Sequence, residues 1–238
     1  MVRSCQLSFP GVAGPLEFQY FEASQAHIAG ILNGTTYPLI PDIGSVHTIL
    51  DIGGNVGAAS VALAARYPNA TVHAFEPGPE PRSLLVANAA AIGRIRIHPF
   101  GLHDHDGSVK LFKSRWDPMS ASIEASAENT DAFDEIELRR TTAALDAAGI
   151  GEVEIVKIDT EGCELPIMRD LGGRLAAARV IYLEYHSEDD RLAIDQLLKS
   201  SHILSQALVR QPHRGDLCYV SRDTDFARRM ASMAIGKG

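Results

Sequence analysis

Cysteine is scarce in this 238-residue chain: Cys5, Cys163 and Cys218, far apart in sequence. An odd, scattered set builds neither a disulfide framework nor a tetrahedral zinc site, and it suits a reducing cytoplasm. Long apolar runs are absent. The longest are strand-length, which excludes a bilayer-spanning helix, and the N-terminus lacks the basic-then-apolar pattern of a secretory signal. Basic charge is in the minority, 22 Lys and Arg against 30 Asp and Glu, for a net charge of −8. An electrostatic grip on nucleic acid needs clustered Lys and Arg, so nucleic acid is not an expected partner. The pairs Arg139-Arg140 and Arg228-Arg229 read as solvated helix surface. There is no internal repeat and no low-complexity linker. The remainder is ordinary globular sequence, 45% hydrophobic and 22% charged, enough for one substantial α/β domain.

The first 44 residues read as an N-terminal extension or cap, and 45–238 as the main domain. Val2 to Phe9 has strand character, punctuated by Gly11 and Gly14-Pro15, and Phe21 to Leu32 reads as a helix followed by a loop around Tyr37-Pro38. From Val46 the alternation is regular. Strands are expected at Val46–Leu50, Thr71–Phe75, Ile95–His98, Ser108–Phe112, Val153–Ile158 and Val180–Glu184. Helices are expected at Ala58–Tyr67, at Glu80–Ile92 with Gly93 as its cap, at Thr142–Ala148 with Gly149 as its cap, and at Arg191–Lys199. His202–Leu208 and Leu217–Ser221 read as a closing antiparallel pair. Residues 114–138, with Trp116 and Asp117-Pro118, read as an irregular excursion or lid. Alternating strands and helices imply an α/β fold, a mostly parallel sheet covered on both faces.

In such a sheet, ligands bind at the carboxyl ends of the strands, where the topology switches. The first regular strand runs into Asp51-Ile52-Gly53-Gly54-Asn55-Val56-Gly57, a turn that brings backbone close to a ligand. The next strand ends at Glu76, placed to accept hydrogen bonds from the hydroxyls of an adenosine ribose. A dinucleotide cradle, Gly-x-Gly-x-x-Gly aligned on Gly57, wants glycine at position 52, where Ile stands. Asp51 would repel a pyrophosphate but attract the ammonium and sulfonium groups of S-adenosylmethionine. The expected cofactor contacts are Asp51, Gly53, Gly54, Asn55, Gly57, Glu76 and Pro77, with the backbone of Gly101 and Leu102 bordering the adenine and Asp104 reaching its amino group. The alternatives are a nicotinamide-dependent oxidoreductase and a non-catalytic S-adenosylmethionine-binding protein.

These segments, with Val156-Lys157-Ile158-Asp159-Thr160-Glu161-Gly162-Cys163-Glu164 and Leu183-Glu184-Tyr185-His186, resemble the FkbM-type methyltransferase family. The likeness runs from about Thr48 to His186, and its most diagnostic part is the Lys157-to-Glu164 segment. It implies a class I (Rossmann-like) methyltransferase fold with a seven-stranded sheet. It also implies S-adenosylmethionine as cofactor and a methyl acceptor that is a hydroxyl of a sugar, glycolipid or secondary metabolite.

A neutral alcohol is a poor nucleophile, so O-methylation gains from a base or a metal held beside the methyl group. Asp159 and Glu161 follow the buried strand at the ligand edge and are candidate catalytic groups. Glu164 reads as a cap or buttress. His186 has the acid-base range of a general base, and Asp159 is also placed near the cofactor. Asp159, Glu184 and His186 offer ligands to magnesium or another divalent ion, but no metal is expected. Lys157 either pairs with a nearby acid or runs along the sheet. His98, His103, Asp104, His105 and Asp106 read as a polar loop, because no regular spacing puts the histidines on one face. Tyr37, Trp116 and Phe133 read as packing residues or lid aromatics.

Overall fold

The structure is a computed structural model, and it describes residues 1–9, 14–116, 120–123 and 129–235. In chain order the elements are β1 (Val2–Leu7), β2 (Leu16–Phe21), a short 3-10 turn, α1 (Gln25–Asn33), β3 (Thr48–Ile52), α2 (Ala58–Arg66), β4 (Thr71–Phe75) and α3 (Pro79–Ala89). There follow β5 (Ile95–His98), β6 (Gly101–His103), β7 (Gly107–Ser114), β8 (Asn129–Arg140), α4 (Thr141–Ala147), β9 (Ile155–Ile158), α5 (Glu164–Leu171) and α6 (Gly173–Ala177). The last are β10 (Val180–Tyr185), α7 (Glu188–Leu198), β11 (His202–Gln211), β12 (Arg214–Ser221) and α8 (Asp225–Ile235).

Seven strands form the central sheet in the order β11-β12-β10-β9-β3-β4-β5. The run from β10 to β5 is parallel, and β12 is antiparallel to both its neighbours. The mostly parallel sheet with a closing antiparallel pair is thus present. The chain works outward from β3 to β5, then returns to build β9 and β10 on the other side of β3. That reversal opens a crevice at the carboxyl ends of β3, β4 and β9.

Strict two-residue alternation assigns the strand side chains to two cores. Ile49, Val72, Ile155 and Val180 pack with α1, α2 and α3 residues such as Ile28, Leu63 and Leu85. Leu50, Val156, Ile158 and Leu183 pack on the other face with Leu145, Ile167 and Ile194. The N-terminal elements share the first core through Phe18 and Ile31. Asn88 of α3 fastens them: its Oδ1 accepts from the Gln19 amide (2.7 Å), and its Nδ2 donates to the carbonyls of Gln19 (2.8 Å) and Val56 (2.7 Å).

Several local expectations are corrected. The stretch read as a helix from Phe21 begins with the end of β2, and α1 starts only at Gln25. Residues 114–138 are not wholly irregular: β8 pairs along β7 from Leu138–Gly107 to Asn129–Ser114, and parallel to β6. Arg139-Arg140 therefore ends a strand rather than lying on a helix, with the Arg139 guanidinium 3.9 Å over the Phe100 ring. Helix α3 ends at Ala89, so Gly93 does not cap it, whereas Gly149 follows α4 with a positive φ of 69°. Trp116 is largely exposed. Gly11 and Asp117-Pro118 lie outside the described residues.

Candidate functional site

The crevice is a cleft of about 430 Å³ lined by the Gly53–Val56 loop, Glu76, Pro77, Gly101, Leu102, Lys157, Asp159, Glu161 and Glu184. Its end at β3 and β4 is built from backbone. Gly53, Asn55 and Gly57 all take positive φ, at 78°, 48° and 88°. Each of the five amides of this turn is already engaged. Gly53 and Gly54 donate to the Phe75 carbonyl (3.0 and 2.9 Å), and Gly57 donates to the Gly54 carbonyl. Asn55 donates to Glu76 Oε2 at 2.7 Å and Val56 to Asn55 Oδ1. No amide of Gly53–Gly57 is left to cradle a pyrophosphate.

Glu76 is 6% exposed and accepts a second backbone N–H, from Gly78 to Oε1 at 2.7 Å. One lone pair on each oxygen stays available to a pair of vicinal hydroxyls. Burial pushes this carboxyl up to about 7, even though the two amides and Lys157 favour its ionised form. A Cβ on Gly101, also at the cleft, would meet the Leu138 side chain at 2.6 Å, so glycine there keeps the main chain close to the cleft.

Gly53 is held still more closely. A Cβ there would fall 1.8 Å from the Asp159 carbonyl oxygen, so the cofactor turn and the end of β9 meet backbone against backbone. Gly53→Ala is expected to cost at least about 2 kcal/mol, from steric overlap and a disfavoured φ together. Urea denaturation reads that loss directly, and wild-type stability in the variant would refute the tight contact.

Asp51 lies beneath the turn rather than facing the cleft. It sits opposite Lys157 in the β3–β9 register, and alternation turns both side chains toward α2. Asp51 is fully buried, accepts from Ser60 Oγ at 2.5 Å and lies 3.1 Å from Lys157 Nζ. Lys157 also donates to the Gly53 carbonyl at 2.5 Å and the Ile52 carbonyl at 3.3 Å, and its ammonium is 3.8 Å from Asp159 Oδ2. Burial alone would lower its pKa, but Asp51 and Asp159 outweigh burial and raise it. The lysine that the sequence leaves between two readings is thus an ion-pairing residue that braces the cofactor turn.

The end at β9 and β10 collects acids from three places. Asp159 follows β9, Glu161 lies in the next turn at a φ of 55°, and Glu184 comes from β10. Burial would raise Asp159, but Lys157, His27 and His186 hold it well below the usual carboxylate range. Glu184 is raised, by burial first and then by the Asp159 charge. Tyr37, fully buried and packed at a tilt against Tyr182 with ring centroids 5.4 Å apart, donates its hydroxyl to Asp159 Oδ2 at 3.2 Å.

His186 stands behind this row and is not among the cleft-lining residues. Its Nε2 is 3.1 Å from Glu161 and 4.0 Å from Glu184, and its Nδ1 is 3.6 Å from Glu164. Burial would lower its pKa, but Glu161 and Glu164 push it up to about 11. The ring is therefore an imidazolium at neutral pH, with no lone pair to accept a proton in that form. Glu164 is a buttress, as expected: Oε1 accepts from the Thr160 amide and hydroxyl, and Oε2 from the Gly162 amide at 3.1 Å.

Asp104 is not at the cleft wall. Its Oδ1 is 2.7 Å from Nδ1 of both His103 and His105, whose rings stand 4.3 Å apart. These two histidines do converge, contrary to the expectation from spacing, because β6 turns sharply after His103. The cleft also takes in His27 and Arg210. Sequence reasoning misses both, since they lie 183 positions apart with no motif around either.

Residues 51–206 match the family described as the Methyltransferase FkbM domain. Among named relatives, the 2-O-methyltransferase NoeI of Sinorhizobium fredii is 24% identical over 156 residues, covering 59% of this chain and 64% of its own length. The hexuronic acid methyltransferase AglP of Haloferax volcanii is 23% identical over 177 residues, 74% of this chain and 67% of its own. Against the first of these the chain spans just under two thirds of the relative. Among solved structures, a fibrillarin pre-rRNA processing protein of Methanococcus jannaschii superposes with a TM-score of 0.53 at 9% identity, covering 92% of this chain and 82% of that one. At that identity the likeness speaks for the fold alone.

Proposed function

This chain belongs to the FkbM methyltransferase family, and we propose that it transfers the methyl group of S-adenosylmethionine to a hydroxyl of a sugar, glycolipid or secondary metabolite. The observation that carries the choice of cofactor is the internally satisfied turn: Gly53 to Gly57 spend all five amides within the protein, while Glu76 keeps acceptor capacity for ribose. That fits a nucleoside without phosphates and disfavours a dinucleotide. The relatives named for sugar-type acceptors support the hydroxyl substrate. No helix among the described residues is long and apolar enough to cross a membrane. The sparse, scattered cysteines, Cys5, Cys163 and Cys218, support the cytoplasmic setting we propose.

When bound, S-adenosylmethionine supplies an electrophilic methyl group on a sulfonium. The protein's own work is positioning, which contributes several kcal/mol when oxygen and methyl are held in line. Glu76 fixes the ribose, and the turn from Gly53 sets the depth of the methionine portion. Asp159, ionised and oriented by Tyr37 and Lys157, accepts the acceptor's hydroxyl proton. A weakly basic carboxylate suffices, because that proton becomes strongly acidic as the oxygen takes the methyl group as its third substituent and turns cationic. Glu161 orients the acceptor beside it, and His186 holds Glu161 in place from behind.

Labelled methyl transfer, screened over hydroxylated sugars and metabolites, tests this reading. With an identified acceptor, Asp159→Ala is expected to lower kcat by about 100-fold or more while leaving cofactor affinity nearly unchanged. Wild-type turnover in that variant would remove Asp159 from the reaction.

A further inference from the structure

We propose that Glu161, Glu184 and His186 form a divalent-cation site of the Mn²⁺ or Mg²⁺ type on the acceptor side of the cleft. The ligand atoms of these three residues lie within 4.8 Å of one another, close to the span of donors about 2.1–2.4 Å from a shared ion. The decisive feature is the histidine. Its side chain is 10% exposed, and its ring nitrogens face only carboxylates, at 3.1 to 4.0 Å and without a well-formed hydrogen bond to any of them. Buried polar atoms seldom stay so. Nε2 points between Glu161 and Glu184, whereas Nδ1 points at Glu164.

That division is the arrangement a metal-binding histidine uses. One nitrogen faces the ion, and the other faces a carboxylate that fixes ring orientation and tautomer. Glu164 is suited to the second role, being buried and held by Thr160 and Gly162. Charge points the same way. Asp159, Glu161, Glu164 and Glu184 crowd one corner around the single His186 ring, while Lys157 is already shared with the buried Asp51. A bound cation offsets the surplus, and its ligation needs the neutral ring, so binding displaces a proton. The two carboxylates suit Mn²⁺ or Mg²⁺. Glu161 and Glu184 both line the cleft, so the ion's open positions face the acceptor, where a hydroxyl or vicinal diol would bind and be polarised. That role rests on the methyltransfer reading, whereas the site itself does not.

The test is Mn²⁺ titration of the full chain after chelator treatment, followed by electron paramagnetic resonance without cofactor or acceptor. One Mn²⁺ per chain is expected. Glu161→Gln and His186→Ala should each weaken binding at least about tenfold, with circular dichroism confirming the fold. Glu161 lies in a turn, so its variant decides the matter if loss of His186 unfolds the chain. The double variant His103→Ala/His105→Ala should bind like wild type. Absence of saturable Mn²⁺ binding, unchanged affinity in Glu161→Gln, or loss of binding only in the His103/His105 variant would each overturn the proposal. S-adenosylmethionine titration of the chelated protein separates the two readings: binding there without a Mn²⁺ site defeats the ion alone, and a Mn²⁺ site without cofactor binding defeats the methyltransferase reading alone.

Discussion

Replacing Lys157 by methionine is expected to lower unfolding stability by roughly 3–5 kcal/mol, the cost of removing one partner of a buried ion pair and leaving the other uncompensated. Asp51 would be stranded: it is fully buried, with the Ser60 hydroxyl left to donate to it. For a chain of this size that corresponds to a fall in Tm of about 10 °C, read by calorimetry or circular dichroism. The double variant Asp51→Asn/Lys157→Met removes both charges and is expected to recover part of the loss, since partners in contact are not additive. Cofactor affinity should fall alongside stability, because the same ammonium holds the carbonyls of Ile52 and Gly53. A single variant as stable as wild type would show that the pair does not brace the turn.

The second large effect concerns Glu76. Two hydrogen bonds from ribose hydroxyls to a carboxylate contribute about 1.5–3 kcal/mol each, and 1.4 kcal/mol is tenfold in affinity. Glu76→Ala is therefore expected to raise the Kd for S-adenosylmethionine by about 100-fold or more. The pH dependence has a defined sign. Burial raises this carboxyl to about 7 in the free protein, and the ribose hydroxyls bind its ionised form. Affinity should thus be complete above pH 7 and weaken as pH falls below it, and Glu76→Gln should flatten the profile. Isothermal titration across that range checks both points. A flat wild-type profile would indicate that Glu76 is ionised throughout.

Much of the site is local in sequence, which is why it can be read there. The turn from Asp51 to Gly57 is contiguous, and Glu76 ends the neighbouring strand, so spacing alone puts them together. The buried strands β3, β4 and β9 stand out as short apolar runs. The misses have physical causes. β8 is laced with acids, and its alternation of inward Ile136 and Leu138 with outward Glu135 and Glu137 is stabilised by pairing with β7, so tertiary context overrides a weak local signal. β2 alternates cleanly, with Leu16, Phe18 and Tyr20 buried, but it runs straight into a helical turn that hides its end. Asp51 carries a different lesson. The acid before a cofactor turn invites a ligand role, yet two-residue alternation from Ile49 already directs its carboxylate to the α2 face, toward Ser60 and Lys157. His27 and Arg210 reach the cleft from opposite ends of the chain, Tyr37 bonds Asp159 at its edge, and no spacing rule brings them there.

The central claim is that the Gly53–Gly57 turn and Glu76 form a nucleoside site for S-adenosylmethionine. It is tested most directly by isothermal titration of the purified chain with S-adenosylmethionine and, separately, with NADH. The expected result is saturable one-to-one binding of S-adenosylmethionine, weakened by Glu76→Ala, with no heat from NADH. Binding of NADH with no response to S-adenosylmethionine would contradict the account.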